Sequence, residues 1–227
     1  MVSILFCLLE LRNKGDNKKD EKKLDNKYER VRSEISLIIQ SLYINQVRID
    51  EIVEDTNSGV RLISGGSATS NLLNIKNDER FNVLNEIDVY LEKFENVKLI
   101  VDVAAGAEDN AVVFAKACGR IVIVIVGEPT SFMDSYALIK TIYQKSSFKN
   151  FCLIINQTEN NKVAYGLFKK FQEITLRFLD VKLHYVGFIE ESKKIKKSII
   201  ERKPITIADP NSDISKRFLK IANEILK

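Results

Sequence analysis

The chain has 227 residues, of which 45% are apolar, so it is long enough to bury the core of one large α/β domain. Its net charge of +4 is small and spread along the chain, and therefore gives no support for nucleic-acid binding. His184 is the single histidine, which excludes a histidine-rich metal site, and we interpret it as a structural residue of a strand. Cys7, Cys118 and Cys152 stand far apart in apolar runs, which predicts buried, reduced thiols in a cytosolic protein.

The amino-terminal segment, residues 1–41, differs in pattern from the rest of the chain. Its apolar run 2–11 is too short to span a bilayer, and no basic stretch or small-residue cleavage site flanks it as in a signal peptide. This run predicts a strand or a short buried helix. A charged linker follows, and then apolar side chains recur every third or fourth position, which predicts an amphipathic helix. The apolar positions of this helix are Tyr28, Val31, Ile35, Ile38 and Leu42.

Residues 42–227 alternate between strand and helix patterns, as is typical of an α/β domain. The run 121–126 (IVIVIV) is apolar and β-branched throughout, which predicts a parallel strand with helices over both faces. We therefore predict a doubly wound, mostly parallel sheet whose ligands bind beyond the carboxyl ends of the strands. A helix is expected after Ser131, which could cap it. The other predicted strands are 60–63, 97–103, 151–155 and 183–188, and the other predicted helices are 81–94, 111–117, 164–179, 192–200 and 212–226.

Segments that follow these strands resemble one family, the FlhG-type proteins of the MinD/ParA superfamily of P-loop ATPases. Residues 64–67 (SGGS) resemble a glycine-containing loop of that family, and residues 99–106 (LIVDVAAG) resemble its Walker B segment. Residues 128–140 (EPTSFMDSYALIK) are the most specific match because the similarity extends over their whole length. The resemblance continues in family order at Asn156, 186–189 (VGFI) and 210–212 (PNS).

This resemblance implies the P-loop ATPase fold and a set of ligands and partners. Family members dimerise on ATP, associate reversibly with membranes and set the number and placement of flagella. ATP and Mg²⁺ are the implied ligands: Asp102 would support Mg²⁺ through water, Gly106 would lie by the phosphates, Glu128 and Pro129 would shape the nucleotide loop, and Asn156 would bind adenine. The implied partners are the flagellar or polar-placement machinery and a second copy of the chain. The implied location is cytoplasmic, with peripheral contact at the inner face of the cell membrane.

Each of these site residues also has a purely structural interpretation. Asp102 could be a polar strand end that faces solvent, and Gly106 could be a turn glycine with positive φ. Glu128 and Pro129 could simply end a strand, and Asn156 could cap the next turn. The sequence leaves both interpretations open.

The family's phosphate-binding loop has no counterpart in this sequence. Such a loop needs glycines that let backbone N–H groups surround the phosphates, a lysine, and a hydroxyl group that holds Mg²⁺. Only Gly65 and Gly66 are adjacent among the nine glycines, and no Gly-Lys-Ser/Thr occurs. Residues 9–12 (LELR) also stand where the second-strand aspartates of the family are expected. The first βα unit is therefore missing or replaced, and residues 2–11 could correspond to the second strand or refill the vacant P-loop strand.

Two functions follow from the resemblance and this departure. The first is a degenerate or truncated family member that regulates flagellar placement or number through protein contacts, with little or no ATP hydrolysis by the chain alone. The alternative is an active ATPase whose P-loop comes from an upstream start or from another chain. The regular patterns after Leu42 disfavour a decayed fragment, and the sequence shows no set of residues typical of an unrelated enzyme.

Two further segments could contact partners. The basic run 193–197 (KKIKK) predicts a solvated helix face, or a contact with an acidic membrane surface or protein. The terminal helix, residues 212–226, has apolar residues on one side and is expected to pack on the core.

Overall fold

The computed structural model describes residues 4–10, 34–37, 49–56, 59–63, 87–94, 97–103, 112 and 118–227. The chain divides into two compact units. One is Phe6–Gly119, here called the amino-terminal unit, and the other is Met1–Leu5 with Arg120–Lys227, here called the carboxy-terminal unit. The strands are mostly parallel and alternate with helices, so the predicted α/β class is confirmed.

The amino-terminal unit is built on a mixed sheet with the strand order β3-β4-β2-β5-β1. Strand β2 runs parallel to both β4 and β5, whereas β3 runs antiparallel to β4. The predicted strands at 60–63 and 97–103 are confirmed as β4 and β5. The elements are β1 (Ile4–Glu10), β2 (Glu34–Leu37), helix α1 (Ile49–Ile52), β3 (Val53–Asp55), β4 (Arg61–Ile63) and β5 (Lys98–Val103), and residues 87–91 are also helical.

The helix predicted at 81–94 is confirmed over residues 87–91. Its inward side chains Ile87, Tyr90 and Leu91 are buried, as the apolar spacing requires. The guanidinium group of Arg61 lies 4.1 Å from the centre of the Phe94 ring, which links β4 to the end of this helical segment. The start of the predicted helix lies outside the described residues. So do the loop 64–67 and, except for the helical Val112, the predicted helix 111–117.

The apolar run at the start of the chain is a strand, β1, and it neighbours β5. The resemblance to P-loop ATPases predicts the P-loop strand beside the strand that carries Asp102, and β5 has two neighbours, β1 and β2. Strand β1 thus lies at one of the two positions beside β5, which agrees with the interpretation that residues 2–11 refill the vacant P-loop strand.

The helix predicted from Tyr28 onward is wrong over Glu34–Leu37, which form strand β2. Hydrogen-bonding partners on both sides explain the difference. Ile35 pairs with Arg61 of β4 and with Leu99 of β5, so β2 lies between two parallel neighbours. A short apolar run fits a helix or a buried strand equally well by its spacing, and here the sheet decides. The rest of the predicted helix lies outside the described residues.

The carboxy-terminal unit is a regular βαβαβ arrangement followed by three helices. Strands β6, β7 and β8 are parallel in that order, and the side chains of Ile121–Val126 are all buried, as predicted. The elements are β6 (Arg120–Val126), α2 (Pro129–Ser146), β7 (Phe151–Thr158), α3 (Asn161–Leu179), β8 (Leu183–Glu190), α4 (Lys193–Ile200), α5 (Ile205–Ala208) and α6 (Asp213–Ile225).

The ends of the helices in this unit are set by identifiable caps. The side chains of Asn160, Ser192 and Ser212 accept hydrogen bonds from backbone N–H groups at the starts of α3, α4 and α6. A guanidinium nitrogen of Arg120, at the start of β6, donates to the carbonyls of Glu224 and Ile225 and so closes the end of α6. These contacts connect the first strand of the unit to its last helix.

Cys118 and Cys152 are buried, as predicted for these two residues, and burial raises the pKa of the Cys152 thiol. His184 lies in β8, as predicted, with its side chain exposed.

Within the part of the chain that the structure describes, no helix is long and apolar enough to cross a bilayer.

Candidate functional site

The carboxyl ends of β6, β7 and β8 form one edge of the carboxy-terminal unit. The three strands are parallel, with Val126 beside Asn156 and Thr158 beside Glu190, so their ends face the same way. Ligands of such sheets bind at this edge. Three of the five predicted site residues, Glu128, Pro129 and Asn156, lie there.

The loop after β6 is short and tightly held. Helix α2 begins at Pro129, a position that suits proline because its missing N–H group would have no partner within the helix. Ser131 does not cap this helix, contrary to the prediction. It is buried within the first turn, and its Oγ accepts a hydrogen bond from the Val126 N–H at 3.1 Å. The residue at the cap position is Glu128, whose side chain is exposed and makes no capping bond.

Gly127 lets this loop approach helix α3. A β-carbon at Gly127 would lie 3.2 Å from Cδ1 of Leu167, closer than ordinary van der Waals contact. The glycine therefore keeps Glu128 and Pro129, both exposed, in a close turn at the strand edge.

Asn156 lies inside β7 and not at its end, because the strand continues to Thr158 with an irregular register against β8. Its Oδ1 accepts a hydrogen bond from the Gln157 N–H at 3.0 Å, and Gln157 has a φ of 55°. This turn-stabilising contact fits the structural interpretation of Asn156. The amide remains half-buried at the strand edge, so its nitrogen could still donate to a ligand.

Thr158 is the last residue of the same strand. Its hydroxyl group is buried and has no hydrogen-bond partner among the described residues.

The two later segments of the family resemblance have structural roles. Around residues 186–189, Gly187 makes space for Ile221, and Phe188 lies under the guanidinium group of Arg217 at 4.1 Å. Arg217 also pairs with Glu190 at 2.9 Å. Sequence reasoning missed this link between β8 and α6, because nothing in the spacing of residues 190 and 217 indicates a pair.

The segment 210–212 forms the turn before α6. Ser212 caps the helix, and the hydroxyls of Ser212 and Ser215 donate to the Asp209 carbonyl at 2.8 and 2.6 Å. These bonds hold the turn without involving a ligand.

Asp102 belongs to the amino-terminal unit, where it lies near the end of β5 and is half-buried. Desolvation by burial raises the pKa of its carboxyl group. A nearby cation would lower that pKa instead. Gly106, the fifth predicted site residue, lies outside the described residues.

The described residues do not fit a bound ATP·Mg²⁺. Within the described part of the chain, no three His, Cys, Asp or Glu residues cluster in a way that could hold a metal ion. Asp102 alone could reach Mg²⁺ only through water, and the sequence supplies no Gly-Lys-Ser/Thr to neutralise the phosphates. A lone carboxylate would repel a triphosphate. We therefore derive no catalytic step through the nucleotide.

Comparison with known proteins adds the family context. No family model matches the sequence. The chain is 30% identical over 168 residues to the antiactivator FleN of Pseudomonas aeruginosa, covering 74% of this chain and 59% of FleN. It is 28% identical over 178 residues to the flagellum site-determining protein YlxH of Helicobacter pylori, covering 78% of this chain and 59% of YlxH. The chain thus spans about three fifths of the length of these relatives.

A solved structure supports the fold alone. A plasmid partition protein from Borrelia burgdorferi superposes with a TM-score of 0.54 at 13% sequence identity, covering 86% of this chain and 85% of that protein. This likeness agrees with the predicted doubly wound α/β fold.

Proposed function

We propose that the chain, which is similar to FleN and YlxH, is an FlhG-type member of the MinD/ParA superfamily and regulates the number or placement of flagella through protein contacts, with little or no ATP hydrolysis of its own. The flagellar part rests on the similarity to YlxH, whose name describes a flagellum site-determining protein. The part that concerns ATP rests on the residues of this chain. Protein partners of the placement machinery and a homodimer belong to the same proposal.

The position of β1 is the observation that carries the proposal. Strand β1 neighbours β5, the strand beside which the P-loop strand is expected in this fold. The residues that follow β1 in the sequence are 11–15 (LRNKG), which contain one glycine and cannot surround a phosphate with backbone N–H groups. Both sides of β5 are occupied, by β1 and by β2, so a P-loop strand from elsewhere would have to displace one of them before it could pair with β5. This supports a scaffold that lacks the phosphate-binding loop.

The electrostatic surroundings of Asp102 also support a chain that does not bind ATP. Phosphate binding depends on backbone N–H donors and on a lysine or arginine that offsets the negative charge. The pKa of Asp102 is raised by burial, with no described cation beside it to lower it. An ionised carboxylate in such surroundings weakens the binding of a triphosphate.

Calorimetric titration of the full chain with ATP and Mg²⁺ tests the ATP part. We expect no heat of binding up to about 1 mM nucleotide, and the same result for Asp102→Asn.

The competing function is an ATPase completed by a P-loop from another segment or chain. One observation favours it, which is that the chain spans 59% of the length of its relatives. Micromolar ATP binding by this chain, reduced in Asp102→Asn, would contradict our proposal and support that alternative.

Flagellar counts in the source cells test the flagellar part. Deletion of the gene should change the number or position of flagella seen by electron microscopy. Both the wild-type chain and Asp102→Asn should restore them, because the proposed function does not use the nucleotide. An unchanged count after deletion would exclude the flagellar role, whereas failure of a folded Asp102→Asn alone would exclude only the nucleotide-independent mechanism. Light scattering of the purified chain, with a dimer as the expected state, tests self-association.

A further inference from the structure

Strand β8 has one open side. Among the strands that the structure describes, it stands last in the order of the sheet and pairs with β7 alone. The backbone N–H and C=O groups along its other side therefore have no strand partner in the described part of the chain. A strand of eight residues with an open side can take up a further strand through main-chain hydrogen bonds.

Helix α3 lies over one face of β8 and borders this open side. The ring of Tyr165 in α3 lies 5.5 Å from the ring of Tyr185 in β8. The other flank of α3 faces α2, where Phe171 packs against Phe132 at 5.2 Å. The flank of α3 that carries Tyr165 therefore faces away from α2, towards the side of the sheet where no further strand is described.

Four side chains form a row along this flank of α3, here called the edge row. Residues 165, 169, 172 and 176 are three or four positions apart, so they lie on one side of the helix. Tyr165 and Leu176, at the two ends of the row, are 44% and 45% exposed. Lys169 and Gln172 lie between them, and the ammonium group of Lys169 is 5.3 Å from the centre of the Tyr165 ring. The edge row thus has an apolar side chain at each end and polar side chains in the middle.

The edge row is complementary to itself when two copies of α3 lie side by side and antiparallel. Tyr165 of one copy then meets Leu176 of the second copy, and Lys169 meets Gln172. This arrangement buries the apolar ends against each other and keeps the two lysines apart. A parallel arrangement would instead place each lysine opposite its equivalent, which costs stability.

Strand β8 has the same property. Lys182 directly precedes its amino end and is exposed, whereas Glu190 and Glu191 stand at its carboxyl end. Antiparallel pairing with a second β8 brings the lysine of one copy near the carboxylates of the other, and opposite charges across two strands are favourable. The two carboxylates already pair with Arg217 and Lys196, but a carboxylate can accept several hydrogen bonds.

We propose that two copies of the chain dock edge to edge, with their β8 strands antiparallel and their edge rows packed against each other. The two-fold axis passes near Val186, in the middle of β8, where the register against β7 shifts. A second copy is the occupant that these observations select, because one surface supplies both halves of every contact and the dimer closes on itself. The contact uses no nucleotide.

The dimer is expected to be weak. An eight-residue strand extends over about 26 Å. A strip of that length across the sheet and one helix layer buries roughly 500 Å² on each copy, below the about 800 Å² of a typical specific interface. The inference rests on the self-association in the proposed function, for which it names the surface. The flagellar role does not depend on it.

Sedimentation equilibrium of the full chain without nucleotide tests the proposal. We expect a monomer–dimer equilibrium with a Kd of about 10–100 µM, as suits a small interface. Leu176→Glu should weaken dimerisation about tenfold or more, because it places a charge against Tyr165 of the second copy. Ile174→Glu is the matched control. Ile174 belongs to the same helix, is 40% exposed and lies on the side towards α2, so dimerisation should not change.

A charge exchange tests the antiparallel orientation. Lys182→Glu should weaken dimerisation up to about fivefold, because it places carboxylates next to each other across the two strands. Lys182→Glu combined with Glu191→Lys should restore the wild-type Kd, since the exchanged charges are again opposite. Circular dichroism should show that all variants are folded. A double variant that is weaker than Lys182→Glu alone would contradict the antiparallel arrangement.

Disulfide cross-linking locates the contact. Lys169→Cys puts a thiol near the proposed two-fold axis, whereas Lys170→Cys puts one about 100° away around the same helix. Under mild oxidation, the Lys169→Cys chain should form covalent dimers and the Lys170→Cys chain should not.

The possible outcomes separate this inference from the proposed function. A dimer that is unaffected by Leu176→Glu, or affected equally by Ile174→Glu, would overturn the edge-to-edge contact and leave self-association intact. A chain that stays monomeric at all concentrations would overturn both the contact and the proposed homodimer. Neither result bears on the flagellar role, which the flagellar counts test separately.

Discussion

In the carboxy-terminal unit, β6, β7 and β8 are seven or eight residues long, and β6 and most of β7 are buried. In the amino-terminal unit, β1 and β5 have seven and six residues, but β2, β3 and β4 have only three or four, and Glu54 and Asp55 of β3 are exposed. Long strands with buried β-branched residues can be predicted from the sequence alone. Strands of three or four residues are defined by their hydrogen-bonding neighbours. The comparison shows that local pattern specifies one unit, whereas pairing between distant segments specifies much of the other.

The largest expected effect is on the core of the carboxy-terminal unit. Phe171→Ala removes a ring that is 1% exposed and packs edge-on against Phe132 at 5.2 Å. We expect a loss of about 3–5 kcal/mol in the free energy of unfolding, from lost burial and the cavity left behind. Urea unfolding followed by far-UV circular dichroism measures this loss. The chain contains no tryptophan, so fluorescence offers a weaker signal.

Leu62→Ala in β4 is the counterpart in the amino-terminal unit. Leu62 is half-buried in a three-residue strand, so we expect a cost of about 1 kcal/mol. Hydrogen exchange with mass spectrometry locates each effect. Faster exchange confined to residues 120–227 in Phe171→Ala would support separate units. An equal increase in residues 98–103 would show that both units unfold together and would contradict the expectation of separate units.

A second prediction concerns a side chain that closes the connection from α3 to β8. The Gln172 Oε1 accepts from the Leu183 N–H at 2.8 Å, and its Nε2 donates to the Val181 carbonyl at 3.3 Å. Gln172→Ala leaves these partly buried backbone groups unpaired, so we expect a loss of about 1–3 kcal/mol. Gln144→Ala at an exposed position of α2 is the control and should change stability by less than about 0.5 kcal/mol. Equal effects in the two variants would mean that solvent replaces the Gln172 contacts.

The third prediction uses two glycines of the carboxy-terminal unit with opposite expected signs. Gly187 has a φ of 154°, and a β-carbon there would lie 2.9 Å from Cγ1 of the buried Ile221. Gly187→Ala should cost about 1–2 kcal/mol. Gly166 lies within α3 with open space around it, so Gly166→Ala should raise stability by about 0.5–1 kcal/mol. Thermal unfolding of the two variants shows whether each substitution raises or lowers stability. Destabilisation by both Gly187→Ala and Gly166→Ala would show that α3 is less regular than described.

The sequence predicted the elements of the carboxy-terminal unit closely because each one carries its own signal. The run 121–126 is apolar throughout, and Ser192 and Ser212 occupy the cap positions of α4 and α6. The start of α2 was less accurate, because Ser131 satisfies the rule for a capping residue but turns inward to the Val126 N–H. A hydroxyl can bond to several nearby backbone groups, and the sequence does not say which one it selects.

The candidate site could be predicted only as a location. The strand ends predicted Glu128, Pro129 and Asn156 at one edge; in the structure Glu128 and Pro129 directly follow β6, whereas Asn156 lies inside β7, and their role as a site stays a prediction. The role of each residue depends on contacts that spacing does not encode, such as the bond from the Gln157 N–H to Asn156. The same holds for β2, where periodicity fitted a helix and pairing with β4 and β5 produced a strand. The ion pair of Glu190 with Arg217 could not be predicted from the spacing of the two residues in the sequence.

The smallest expected effect concerns Asp102, and it tests whether the amino-terminal unit retains a ligand site. Burial raises the pKa of Asp102 in the folded state above the ordinary value of 3.8 for an aspartate. A raised folded-state pKa means that the folded chain binds the proton more tightly than the unfolded chain does. The charged form therefore lowers stability above the folded pKa, and this penalty disappears as the pH falls towards 3.8.

Asp102→Asn removes that charge at nearly constant size, so it should raise stability at pH 7 by about 0.5 kcal/mol or less, since the side chain is half-exposed. The difference from the wild type should shrink as the pH falls through the raised pKa of Asp102. Urea midpoints at pH 7 and at about pH 3.5 measure it, with Asp88→Asn as the control for losing one exposed negative charge. A destabilised Asp102→Asn at pH 7 would mean that a cation or a hydrogen-bond donor lies by the carboxylate. If added Mg²⁺ and ATP then stabilised only the wild type, β5 would carry a working part of a nucleotide site, and the proposal of a nucleotide-independent scaffold would be wrong.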